Sequence, residues 1–335
     1  MIARLNIAMD RKLDELVFAL LQNMTIAVSG EKLARDLGVS HSTLVRWVEK
    51  LRSYGLEIRG ELFTGYRLIR LPDIMLPKLI RPRLRTRSLG KDIYHFYSVD
   101  STNAFASRLL AHDRKVVDGT VIVAEAQTAG RGRLGRPWHS EPETGLYFSL
   151  VLRPKIPPSL APLFTLATAV AMHNAVERNT RLDVDIKWPN DLLVNGRKVC
   201  GILAEIQAEM DRVNSLVVGI GLNVNHSSLP ADLAERATSL RIASGRMQSR
   251  IEILLEFLEE FEALMDRFEG TGQASIVEQW MQNSSFASGR RLKIDDGVRV
   301  IEGLTRGLNP IGALRLETHD GAIQEVYSGD VVSWT

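Results

Sequence analysis

Apolar residues recur with a helical period at Leu13, Leu16, Val17, Leu20 and Leu21, which predicts a helix over residues 11–21. A second helix runs through Leu33, Ala34 and Leu37, with Ser29 as its expected cap and Gly38 as its end. Ser40 stands where a third helix would be capped. Leu44, Trp47, Val48 and Leu51 give that helix an inward stripe, and Gly55 lies just beyond it. Two short helices about a glycine-containing turn form a helix-turn-helix unit. His41, Ser42, Val45, Arg46, Glu49 and Lys50 would face outward from its second helix. Residues 56–59 and 62–68 flank a further turn and predict a small hairpin wing.

From residue 93 the pattern becomes mixed. Strands are expected at 94–99, 120–126, 146–152, 185–188, 192–194, 198–205 and 216–224, with a helix over 163–176. Asn195-Gly196, between two of these strands, is the dipeptide that most favours a type I′ hairpin. Residues 251–268 place Leu254, Leu255, Leu258 and Phe261 on one side of a helix. Seven acids from Glu252 to Glu269 fall mostly on its other faces. The last fifty residues alternate short strands with turns such as Asp296-Gly297 and Asp320-Gly321, the pattern of a small β-barrel. The fold class is α+β. A winged helix-turn-helix occupies 1–70, a linker 71–91, an α/β domain with a mixed sheet 92–285, and the small barrel 286–335.

Charge divides the chain. Residues 1–91 carry 17 Lys/Arg against 9 Asp/Glu, a net of +8, and the remainder carries a net of −6. A basic N-terminal part on an acidic body points to a polyanion partner for that part alone. Ser42, Thr43, Arg46 and Lys50 would then lie against DNA. A three-helix packing module without DNA contact is the alternative. The linker holds Pro72, Pro77 and Pro82 with Arg81, Arg83, Arg85 and Arg87, so stiffness and like-charge repulsion should extend it. One cysteine, Cys200, excludes an intramolecular disulfide, and its apolar neighbours predict a buried residue. No uninterrupted apolar run is long enough to span a bilayer, so no membrane partner is expected and the cytoplasm is the expected location.

Candidate chemistry gathers at strand ends in the middle domain. Gly130-Arg131-Gly132-Arg133-Leu134-Gly135-Arg136 alternates residues that free the backbone with residues that bind anions. Ser101, Thr102, Asn103, Gln127, Lys187, Asn190, Lys198 and Asn223 join it. Cations and neutral hydrogen-bonding groups dominate, and no paired acids or zinc-like histidine spacing are evident. Such a site suits anionic substrates whose own groups react, as in phosphoryl or nucleotidyl transfer. Asn190 and Asn223 have a plainer reading too, as a turn residue after Pro189 and a strand-end cap.

Residues 130–136, Lys187-Trp188-Pro189-Asn190-Asp191, Arg197-Lys198 with Gly201-Ile202, and Gly219-Ile220-Gly221-Leu222-Asn223 together resemble biotin protein ligase (biotin–[acetyl-CoA-carboxylase] ligase). With the helix-turn-helix, the resemblance is to the bifunctional form that is also the biotin operon repressor, and it extends to a C-terminal SH3-like barrel. It implies that biotin and ATP, with Mg²⁺ on the ATP phosphates, give biotinyl-5′-AMP. Biotin then passes to a lysine of biotin carboxyl carrier protein. It implies catalytic roles for Arg131, Arg133 and Lys198. Biotin contacts would come from Ser101, Thr102, Asn103, Gln127, Gly130, Arg131, Gly132, Arg133, Lys198 and Gly201. Of these, Thr102 and Gln127 would face the ureido ring. Nucleotide contacts would come from Arg133, Arg136, Lys187, Asn190 and Asn223. Operator DNA and a ligand-induced homodimer are the further implied partners. The sequence departs from the family in having no aromatic residue between His226 and Glu256, where a second loop covers the adenylate. A non-catalytic biotin-sensing DNA-binding regulator and a lipoate-type ligase share parts of this pattern. The retained Arg131, Arg133 and Lys198 argue against the first, and the Gly/Arg loop with Lys-Trp-Pro-Asn-Asp against the second.

Overall fold

The computed structural model describes every residue except 1, 71–72, 114–115, 269–271 and 335, with side chains from Asp10 onward. Pro72 and Glu269, used above, lie outside the described residues. Helices α1 (Ile2–Leu21), α2 (Gly30–Leu37) and α3 (His41–Ser53) pack around Leu13, Leu16, Leu20, Leu44 and Leu51, all fully buried. Gly38 ends α2 in the left-handed conformation, φ 65°, and Ser40 accepts from Thr43 N at 3.2 Å to cap α3. Ser29 makes no side-chain cap. The chain enters α2 from a two-way backbone bridge between Val28 and Tyr66, which fixes the approach instead. Strands β1 (Ile58–Glu61) and β2 (Gly65–Leu68) form the expected wing.

After α4 (Pro77–Ile80) the chain builds one seven-stranded sheet. Its elements are β3 (Ile93–Phe96), α5 (Thr102–His112), β4 (Thr120–Ala124), β5 (Gly145–Leu152), α6 (Pro162–Thr180), β6 (Val184–Lys187), β7 (Asp191–Val194), β8 (Arg197–Ala208) and β9 (Val213–Asn223). The spatial order is β3-β4-β5-β9-β8-β7-β6. Only β3 and β4 run parallel, so the sheet is mixed. Asn195 and Gly196 both have positive φ, as the β7–β8 turn demands.

Alternation along β5 sorts the two faces. Leu146, Phe148 and Leu150 enter the main core with α6 and with α8 (Arg250–Asp266), which follows the short α7 (Leu240–Ser244). Tyr147, Ser149 and Val151 point to the face that carries α5. The stretch Pro158–Thr180 is long and apolar enough by composition to cross a membrane, although no uninterrupted apolar run suggested it. It is a core helix here, with Val170, Met172 and Val176 fully buried.

Helix α9 (Gln273–Gln282), which hydrophobic period did not signal, leads into β10 (Ser288–Asp295), β11 (Val300–Leu308), β12 (Leu314–Glu317), β13 (Ile323–Val326) and β14 (Asp330–Trp334). They form the C-terminal antiparallel SH3-like unit in the order β13-β12-β11-β10-β14.

The arginine-rich linker is not extended. Ile74, Met75, Leu76 and Ile80 are buried. Arg83, Arg85 and Arg87 pair with Glu252, Glu259 and Asp266 of α8. The acidic face of α8 neutralises the like charges, so their repulsion has nothing to stretch. Glu262 of the same helix accepts backbone N–H groups of Arg87, Ser88 and Leu89.

Candidate active site

Three glycines make a floor on the α5 face of the sheet. Gly201 of β8 sits opposite Gly221 of β9, and Gly219 is two residues along. A Cβ on Gly221 would lie 2.4 Å from the Trp138 indole, and one on Gly219 would lie 2.1 Å from the Asn103 amide. Side chains could not approach the strands this closely over any other residue. Trp138 therefore packs directly on the floor, with Lys198 Nζ 5.4 Å from its ring centroid. The sequence reading did not single out Trp138. Its position just past the Gly/Arg loop was the available signal.

Ser101 caps α5 by accepting from Ala104 N at 3.4 Å, and it holds Thr102 and Asn103 at the edge of the floor. Gln127, just past β4, accepts from Thr102 N at 2.9 Å and donates to Ser140 at 3.0 Å. Ser149 of β5, fully buried, reaches Thr102 Oγ1 at 2.8 Å and Asn103 Oδ1 at 2.6 Å. It too was missed, because a lone serine inside an apolar strand carries no sequence signal.

The Gly/Arg loop crosses above. Gly130 O accepts from Trp138 N at 2.8 Å and Gly132 N donates to Arg136 O at 2.7 Å, with Leu134 and Gly135 both at positive φ. Arg131, Arg133, Arg136 and Lys198 each meet an acid. Arg131 pairs with Glu205 at 3.3 Å, and Lys198 with Asp191 at 2.6 Å. Arg136 and Arg133 pair with Asp330 of β14 at 2.6 and 3.6 Å. Lys187 lies 4.0 Å from the ring centroid of Trp334, and burial lowers its pKa. The C-terminal unit thus reaches the site through Asp330 and Trp334, neither of which was expected from sequence.

Asn190 donates to Ile202 O at 2.7 Å and accepts from Arg133 at 3.3 Å, so it does more than shape a turn. Asn223 is buried and donates to Thr238 O at 3.1 Å, which is the strand-end role. Trp188 is core and donates to Gly312 O. Burial pushes the Cys200 thiol well above its usual range, so it is no nucleophile. Among the described residues no three His, Cys, Asp or Glu side chains assemble to hold a metal. A cavity of about 410 Å³ between Leu89, Phe164, Phe261 and Met265 lies on the opposite face and contains none of these groups.

Residues 95–224 match the Biotin/lipoate A/B protein ligase family, residues 12–67 an HTH domain, and residues 287–334 the Biotin protein ligase C terminal domain. The bifunctional ligase/repressor BirA of Bacillus subtilis is 37% identical over 306 residues, 91% of this chain and 93% of the relative. The chain belongs to the biotin protein ligase family. The bifunctional ligase/repressor BirA of Escherichia coli is 29% identical over 90% of this chain and 92% of its own length. A biotin protein ligase of Aquifex aeolicus, solved in complex with biotin and ATP, superposes with a TM-score of 0.63 at 32% identity, covering 73% of this chain and 99% of that one.

In the DNA-binding unit, Ser42 and Arg46 are exposed on α3, and Thr43 is half-buried, bonded to Ser40 and Arg46. Lys50 lies 5.6 Å from the centroid of the Tyr54 ring and is half-buried. Tyr54 in turn stacks on Tyr97 at 5.1 Å, so this end of α3 faces the catalytic body.

Proposed function

We propose that this chain is an ATP-dependent biotin–protein ligase and a biotin-responsive transcriptional repressor. The observation that carries the ligase reading is the gathering of Arg131, Arg133, Arg136, Lys187 and Lys198 around the glycine floor, with the lone cysteine, Cys200, buried. In the first step the biotin carboxylate attacks the ATP α-phosphorus and the bond to pyrophosphate breaks, giving biotinyl-5′-AMP. Two anions must meet, and preorganised cations offset their repulsion and the charge of the transition state. In the second step a lysine amine of biotin carboxyl carrier protein attacks the acyl carbon, and AMP leaves as the amine loses its proton. The acceptor is the nucleophile, so the enzyme needs none.

Thr102 and Gln127 face the ureido ring, Trp138 and the glycine floor enclose the apolar rings, and Arg131, Arg133 and Lys198 hold the carboxylate. Arg136, Lys187 and Asn190 face the nucleotide. Mg²⁺ arrives as MgATP, with the phosphates as its main ligands. Glu205, Asp191 and Asp330 hold the cations until substrate anions replace them. The loop then closes over a mixed anhydride that water would otherwise hydrolyse.

The repressor reading rests on the exposed Ser42 and Arg46 and on the basic N-terminal part. A homodimer that forms when the adenylate orders the loops would double the DNA contacts, a population shift. The experiment is intact mass of a purified acceptor domain after incubation with this protein, biotin and MgATP. A biotin-sized gain requiring both substrates is expected. No gain, with biotin still bound, would overturn the ligase reading in favour of a sensor. For repression, biotinyl-adenylate should tighten binding to DNA upstream of biotin genes at moderate salt.

A further inference from the structure

We infer that Asn223 is a positioning residue for Lys198, clamping residues 236–238 against the main chain of the lysine so that its charge stays over the glycine floor. The inference rests on the ligase reading above, in which Lys198 holds the biotin carboxylate.

Lys198 stands at a weak point of the sheet. It enters β8 two residues after the Asn195-Gly196 turn, opposite Leu193 and beside a register irregularity in β7. On its other side β8 meets β9 only from Cys200 onward, opposite Leu222. A strand end with one edge open frays, because few bonds must break to release it. Residues 236–238 fill that edge. Lys198 N donates to Arg236 O at 2.9 Å and Thr238 N donates to Lys198 O at 2.8 Å, a parallel bridge about Ala237. Both main-chain polar groups of the lysine are thus taken by a segment distant in sequence.

Two side chains hold the segment in turn. Asn223, the last residue of β9, donates from Nδ2 to Thr238 O at 3.1 Å. It stitches the departing strand to the one that replaces it. Ser239 donates to His226 O at 2.8 Å and accepts from Ile242 N at 3.0 Å, which closes the neck of the intervening loop and caps α7. Asn223, Thr238 and Ser239 are all buried, so water does not replace a bond that is lost.

The lysine needs this support. Its ammonium is a point charge on a flexible four-carbon stem, unlike the rigid fork of an arginine. Nζ now meets Asp191 at 2.6 Å and would lie 3.2 Å from a Cβ on Gly201. Once a substrate carboxylate displaces Asp191, the clamped main chain is what keeps the charge in reach of the floor. Asn223 accordingly acts on biotin through Lys198, and not on the nucleotide.

Asn223→Leu keeps the volume and removes the donor. Hydrogen exchange of the free protein, read by mass spectrometry over peptides containing Lys198, should quicken about 10-fold, the scale of one lost buried hydrogen bond. Calorimetry should show biotin held about 10-fold more weakly, with the KM for ATP within about 2-fold of wild type. In a Lys198→Ala background the same substitution should change biotin affinity by less than about 2-fold, since the residue it acts through is gone. Equal losses of biotin affinity in both backgrounds, a raised KM for ATP with biotin affinity intact, or unchanged exchange at Lys198 would each overturn the inference. Ser239→Ala loosens the same segment from its other side and should repeat the pattern, which keeps the test open if Asn223→Leu folds poorly. A wild-type protein that binds no biotin, with the exchange response at Lys198 intact, would instead bring down the ligase reading.

Discussion

His95 stands between Asp14 of α1 and Glu125 beside β4, with Nδ1 2.8 Å from one carboxylate and Nε2 3.1 Å from the other. Glu125 continues to Arg250 at 2.8 Å, and Arg250 to Asp73 at 3.0 Å and to Gly145 O at 3.0 Å. A buried line of alternating charge thus joins the DNA-binding unit to the catalytic sheet. Burial alone would lower the His95 pKa, but Asp14 and then Glu125 outweigh it and raise it to about 10. Burial would raise the pKa of Glu125, but Arg250 and His95 hold it down to about 2.

Breaking this line should be costly. His95→Leu leaves Asp14 buried without this cation and strips Glu125 of one of its two, a change of about 3–5 kcal/mol in unfolding free energy. Because the folded pKa of His95 lies above its ordinary 6.5, its contribution is complete below pH 6.5 and is lost as pH rises through 10. That of Glu125, depressed from 4.5, is complete above pH 4.5 and is lost as pH falls through 2. Urea unfolding of wild type and His95→Leu across pH should give the widest gap between pH 4.5 and 6.5, narrowing towards pH 10. A gap that does not depend on pH would refute the charged state of His95.

Arg133→Ala and Lys198→Ala should each fold normally and lower adenylate formation by ~10²–10³, the scale of one lost transition-state contact. Biotin-dependent pyrophosphate exchange measures this directly. Wild-type exchange in either variant would remove that residue from the site.

Gly221→Ala puts a methyl group 2.4 Å from Trp138 Cε2, so the indole must leave the floor. Overpacking of this kind costs roughly 1–3 kcal/mol. Biotin affinity measured by calorimetry should fall by about 10-fold or more, with DNA binding in the absence of ligand unchanged. Unaltered biotin affinity would show that the floor is not part of the pocket.

Arg46→Ala should weaken operator binding uniformly across sequences and lower the slope of log K against log salt by about 1, with ligase activity intact. Binding titrations at several salt concentrations test this, and an unchanged slope would move Arg46 off the phosphate backbone.

Much of this was legible because it is local. The helix-turn-helix stripes, the hairpin at Asn195-Gly196 and the glycine-arginine loop each carry their physical reason within a few residues. The sites that stayed hidden depend on partners far away in sequence. Glu205 and Asn103 are 102 positions apart, Ser149 and Asn103 are 46 apart, and Asp330 meets the loop arginines from the last strand. The linker misled for the same reason. Its arginines look repulsive until α8 supplies Glu252, Glu259 and Asp266.

Trp138 has a practical consequence. Of the five tryptophans, Trp188 and Trp280 are sealed in the core, Trp47 belongs to the DNA-binding unit, and Trp334 lies over Lys187 on the C-terminal unit. Trp138 alone among them covers the glycine floor, so on the proposed reading of the site the molecule carries its own optical probe of biotin. Comparing emission of the wild type with that of Trp138→Phe would separate ligand arrival on the floor from closure at the C-terminal end, without any attached dye.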